Sequence, residues 1–183
     1  MTEYYLQKIR WNDGGSFYLY GSSIQYNGDD VIFENLRFAS GKKIKSWVSR
    51  TNFQGNRQSP CLPLLVPGCE YRLEKNFSVE PDGSVYLQLE FRNRQEEVVG
   101  LTILKDDDDT FTYPKDAFTY SLTLFSAGCQ RVHFSSIVIY ALEKVEVFRL
   151  ESGIRGYYAK HYHLSDIEFV KSLINEARNE KSE

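Results

Sequence analysis

The chain of 183 residues has little of what usually marks an enzyme or a secreted scaffold. Cysteine is scarce: Cys61, Cys69 and Cys129 are an odd number without a C-x-x-C pair, so neither a disulfide framework nor a zinc knuckle is indicated. They read as small buried hydrophobes in a reducing compartment. Histidine is limited to His133, His161 and His163. There is no H-E-x-x-H, no G-x-S-x-G, no P-loop and no G-x-G-x-x-G. Paired-carboxylate catalysis leaves no local signature, and no feature supports it. The chain therefore reads as a non-enzyme with no cofactor and no metal. No apolar run reaches the length of a membrane span, and the start, Met1 to Tyr5, lacks a charged and then apolar leader. The expectation is a cytoplasmic protein that reaches a membrane surface only through partners. A net charge of −3 disfavours a general nucleic-acid binder.

One absence is local. From Asn35 to Cys69 there is no aspartate or glutamate, in a chain that is net acidic. The same stretch holds Arg37, Lys42, Lys43, Lys45, Arg50 and Arg57, the aromatic Trp47, and the amides Asn52, Gln54, Asn56 and Gln58. It closes on Pro60-Cys61-Leu62-Pro63-Leu64-Leu65. Like charges so close repel, so the segment needs counter-charge from another face of the fold or from a partner.

What is abundant is alternation. Aromatics make up 15% of the residues, which suits half-buried pleated surfaces. Val85, Leu87, Leu89 and Phe91 alternate with polar residues, as do Phe118, Tyr120, Leu122 and Leu124, and Tyr71, Leu73, Phe77 and Val79 share one parity. Val132 and Phe134 take one parity and Ile137 and Ile139 the other, so Ser135-Ser136 predicts a bulge or bend. Turns are expected at Asn27–Asp30, Pro81–Gly83 and Ala127-Gly128, and a hairpin around Asn93–Glu97. Eight to ten short strands over residues 1–150 predict an all-β, jelly-roll-like antiparallel sandwich. Residues 151–183 read as a linker and an amphipathic C-terminal helix. Its capping box is Ser165 with Glu168, and its apolar stripe is Ile167, Val170, Leu173, Ile174 and Ala177.

Chemistry outside the acid-free stretch is thin. His161-x-His163 lacks a third metal ligand nearby, and an exposed or hydrogen-bonded pair is the simpler reading. Asp106 to Asp109 lacks the alternating spacing of a calcium loop and reads as a solvated turn, or as counter-charge for the basic segment. Within the stretch, Trp47 on a strand between Ile44 and Val48 is more often core than platform; the functional alternative is a ring for a sugar or a partner pocket. Arg50 and Arg57 are stronger surface candidates, because planar guanidinium forks suit bidentate pairing at interfaces. The Lys42-Lys43-Lys45 group reads as a solvated turn after Gly41. The candidate contact set is Trp47, Arg50, Asn52, Gln54 and Arg57.

The same residues carry a resemblance. Tyr18-Leu19-Tyr20-Gly21-Ser22 is followed by Phe33-Glu34-Asn35, Ser40-Gly41, Ile44, Trp47, Ser49, Asn52-Phe53-Gln54 and Arg57. Then come Pro60, Leu62-Pro63-Leu64-Leu65, Gly68, Tyr71, Phe111-Thr112-Tyr113-Pro114, Ala127-Gly128 and Phe134. In order and spacing this set resembles the small third member of the accessory Sec secretion protein family of Gram-positive bacteria, over roughly positions 18 to 140. The resemblance implies a non-catalytic subunit with a fold like a carbohydrate-binding module. Its implied partners are the larger accessory secretion proteins, an accessory SecA-type motor and a glycosylated Ser-rich adhesin. A stand-alone carbohydrate-binding module is the alternative.

Overall fold

A computed structural model describes residues 3–50, 60–105 and 107–142. The linker, the C-terminal helix, His161, His163, Asp106, Asn52, Gln54 and Arg57 lie outside the described residues, as does the boundary placed at residue 150.

Eleven strands form two antiparallel sheets among the described residues. They are β1 (Tyr4–Ile9), β2 (Ser16–Phe17), β3 (Ser23–Asn27), β4 (Asp30–Glu34), β5 (Lys43–Val48), β6 (Glu70–Glu80), β7 (Val85–Arg92), β8 (Val98–Leu104), β9 (Thr110–Thr112), β10 (Thr119–Ser126) and β11 (Arg131–Ala141). The fold is the expected all-β sandwich. The strand count exceeds the expectation because β2 and β9, of two and three residues, are too short to show periodicity.

The first sheet runs β3-β4-β11-β6-β9. Long β11 pairs with β6 along one edge and shares its other edge between β4 and β1. The second sheet runs β2-β5-β10-β7-β8. The bulge predicted at Ser135-Ser136 is present: the β11–β6 register shifts between Phe134 and Ser136. That slip keeps Val132, Phe134, Ile137 and Ile139 all buried despite their opposite parities. The hairpin of β7 and β8 turns at Asn93–Glu97, where the Asn93 side chain accepts from the amides of Gln95 and Glu97.

Two aromatic knots fasten the sheets. Phe134 on β11 lies 5.5 Å from both Trp11 and Trp47, with Phe33 beside Trp11. At the other end Phe91 stacks on Phe111, and Phe91, Tyr113 and Tyr120 meet edge-on or tilted. Such pairs add about 0.5–1.5 kcal/mol each beyond area burial. Tyr120 also reaches across to donate to the Pro63 carbonyl at 2.8 Å, and the Val66 amide donates to the Tyr71 hydroxyl at 2.7 Å. These bonds pin the segment that closes the acid-free stretch.

Two sequence expectations, on Phe118 and on the cysteines, change here, and the apolar close of the acid-free stretch divides. Phe118 is exposed and precedes β10, with the Arg94 guanidinium 5.1 Å above its ring. Leu64 is 87% exposed, whereas Cys61 and Leu62 beside it are buried. The cysteines are free, but Cys69 is only half-buried.

Candidate functional site

Trp47 belongs to the core. Its side chain is fully buried, it stacks on Phe134, and its indole donates to the Arg10 carbonyl at 3.1 Å. It therefore leaves the candidate contact surface: β5 is an interior strand and Trp47 points inward from it. Lys45 overturns the solvated-turn reading of the lysine group. It is 2% exposed, donates to the Gly14 carbonyl at 2.5 Å, and sits 5.2 to 5.7 Å from the rings of Phe17, Trp11 and Trp47. Burial pulls its ammonium down to about 8. Three ring faces and a carbonyl supply the negative potential that a carboxylate would otherwise give. Lys42 and Lys43 are exposed, as expected.

Arg50, at the far end of β5, is on the surface and pairs with Glu96 in the β7–β8 turn. That guanidinium holds the Glu96 carboxyl below the ordinary carboxylate range. So one cation of the acid-free stretch finds counter-charge within the fold. That partner is Glu96; Asp109 of the acidic run lies instead 3.8 Å from Arg72, on the other sheet.

The opposite end of β5 opens on a feature the sequence reading missed. A cleft of 780 Å³ is lined by Tyr18, Tyr20, Asn35, Leu36, Arg37 and Lys42, among others. Buried Asn35 builds it. Its side-chain amide donates to the Tyr20 carbonyl at 3.2 Å and to the Ser22 hydroxyl at 3.0 Å, and its oxygen accepts from the Arg37 amide at 3.2 Å. Phe38 turns inward to meet Tyr18 edge-on at 5.0 Å. Leu36 and Arg37 are thereby turned outward, and Tyr20 stands 85% exposed. Tyr18, Tyr20 and Gly21 from one piece of the resemblance and Glu34 and Asn35 from another thus line one cleft. The signal was available: an exposed aromatic beside cations in the acid-free stretch. What hid it was the distance in sequence between its halves.

The cleft offers aromatic faces, an apolar side chain, two cations and the Glu34 carboxylate, which lies 3.3 Å from the Arg131 guanidinium. That mixture suits binding. Groups of three or more His, Cys, Asp or Glu side chains able to hold a metal are absent among the described residues. Among the same residues no helix is long and apolar enough to cross a membrane.

Residues 17–141 match the family described as Accessory Sec secretory system ASP3. The chain belongs to this family. A relative from Streptococcus gordonii, an accessory Sec system protein of the same name, is 42% identical over 123 residues, covering 67% of this chain and 77% of its own. One from Staphylococcus aureus is 29% identical over 133 residues, covering 72% of this chain and 42% of its own. A crystal structure described as accessory secretory protein 1, 2 and 3 in Streptococcus pneumoniae superposes with a TM-score of 0.70 at 34% identity, covering 75% of this chain and 97% of that one. The Glycosylation Associate Protein (Gap123) complex from Streptococcus agalactiae gives 0.67 at 34% identity, covering 87% and 51%.

Proposed function

We propose that the chain is a non-catalytic adaptor subunit of an accessory Sec export complex for serine-rich glycosylated adhesins. It binds the larger accessory secretion proteins and works with an accessory SecA-type motor. The observation that supports this reading is membership of a family whose solved neighbours, at 34% identity, are described as accessory secretory protein 1, 2 and 3 and as the Gap123 complex. The contact surface is the Arg50 end of β5, continuing into Asn52, Gln54 and Arg57 of the acid-free stretch. Arg50 is half-exposed and its pair with Glu96 is a surface pair worth about 0–1 kcal/mol, so a partner carboxylate can replace Glu96 at small cost. Arg50→Glu or Arg57→Glu then weakens co-purification with the larger accessory proteins about tenfold or more, with the fold intact. Unchanged recovery of both variants would remove this surface from the assignment.

A second reading, a stand-alone carbohydrate-binding module, is supported by the Tyr20 ring standing open at the cleft. It requires saturable binding of N-acetylglucosamine oligomers or a glycosylated Ser-rich peptide, lost in Tyr20→Ala. Titration of the isolated chain with no saturable heat counts against it.

A further inference from the structure

The sandwich has several sheet edges, and most are blunted: β1, which among the described strands pairs with β11 alone, carries Lys8, and the length of β6 beyond β9 carries Glu74, Lys75 and Glu80. β2 and β9 are too short to template another strand, and β3 is mostly polar, reading Ser-Ile-Gln-Tyr-Asn. β8 is the exception. It is the last strand of its sheet, and no described strand lies beyond it. Its seven residues, Val-Val-Gly-Leu-Thr-Ile-Leu, contain no charge and no proline. Val98, Val99, Leu101 and Ile103 are 52%, 37%, 51% and 45% exposed. An open apolar edge of this length is a ready template for strand addition.

The flanks of β8 specify what adds to it. Glu97 stands four positions before Leu101 and Lys105 four positions after it, and both are exposed. In an antiparallel self-pairing centred on Leu101, Val99 of one copy faces Ile103 of the other. Glu97 of each copy then faces Lys105 of its mate. The Glu97–Lys105 pairing is self-complementary, as a twofold interface requires, and outweighs at each end the like-charge pairing of Glu96 with Asp106 only where the Lys105 ammonium lies between them. A parallel pairing in register would instead oppose like charges at both ends. The β7–β8 register slips by one residue near Val98, where the strand bulges, but Gly100 to Leu104 stay regular. Glu96 precedes Glu97, so the end facing Lys105 remains acidic in either register.

We infer that two copies of the chain join edge to edge through antiparallel β8 strands, with Leu101 at the twofold axis. The five-stranded sheet becomes ten strands wide, and Val99, Leu101 and Ile103 of both copies form one apolar strip across the junction.

Sedimentation of the full chain over a wide concentration range tests this. The expected result is a monomer–dimer equilibrium. Glu97→Lys and Lys105→Glu each weaken it about tenfold, since each puts like charges at both ends, and the combined reversal restores it. Leu101→Cys cross-links to itself under mild oxidation, whereas a cysteine at Gln25 on the β3 edge does not. Thermal melts monitor folding, and the cross-link decides should either charge variant fold poorly. A chain that stays monomeric at every concentration overturns the proposal. So does a dimer indifferent to the single reversals, or one not restored by the double. Protection of β8 amides only on adding the larger accessory proteins, with the chain alone monomeric, assigns the edge to a different protein and also overturns it.

Discussion

At the scale of single residues, Gly15 and Lys45 carry the tightest constraints. Gly15 has φ of +74°, and a Cβ there would lie 1.9 Å from the Ser46 carbonyl oxygen. That oxygen belongs to the β5 backbone and cannot swing aside. Gly15→Ala should lower stability by about 2–4 kcal/mol, combining backbone strain with overpacking; urea unfolding measures it. Lys45 makes a pH prediction. Its folded value is about 8, against 10.5 as the ordinary value, so between those limits the unfolded chain holds the proton that the folded chain has lost. The unfolded state binds more protons there, and Lys45 therefore adds stability as pH rises through that window. The stability of the native chain minus that of Lys45→Met should grow from pH 8 toward 10.5. A flat difference would show the ammonium keeps its proton when folded. Neither residue was legible in the sequence. Gly15 sits in an ordinary Gly-Gly turn, and Lys45 looks like its exposed neighbours, because the rings that receive it come from Trp11 and Phe17 far upstream.

At the scale of elements, alternation was a dependable guide wherever a strand covers the core on one face. β7, β10 and the two halves of β11 all lie where periodicity put them, and the bulge between those halves was readable because a parity switch has few other causes. Phe118 shows where the rule stops: the parity continues by one residue, but the strand does not. The two ends of that run should respond differently. Leu122→Ala, in the fully buried part of β10, should cost about 2–5 kcal/mol. Phe118→Ala should stay within about 0.5 kcal/mol, as exposed positions do. Equal losses in thermal melts would mean that Phe118 is packed. The cleft escaped notice for the converse reason. It is built by the hydrogen bonds of Asn35 to Tyr20 and Ser22, and pairing between such distant pieces leaves no local period.

At the scale of the whole molecule, the described part of the acid-free stretch up to Arg50 divides among three uses. Its beginning lines the cleft, its middle enters the core through Trp47 and Lys45, and Arg50 returns to the surface. Charge segregation was therefore a true signal of position but a mixed signal of role. The account places binding at the two ends of β5 and leaves the sandwich between them as scaffold. If that is right, Tyr20→Ala should leave co-purification with the larger accessory proteins unchanged, while Arg50→Glu reduces it. The central claim is that the chain is an adaptor. Co-expression of the full chain with its two larger accessory proteins, followed by size-exclusion chromatography with mass measurement, addresses it most directly. The account predicts one peak holding all three proteins in fixed ratio. Elution of the full chain apart from both, with each protein folded, would contradict it.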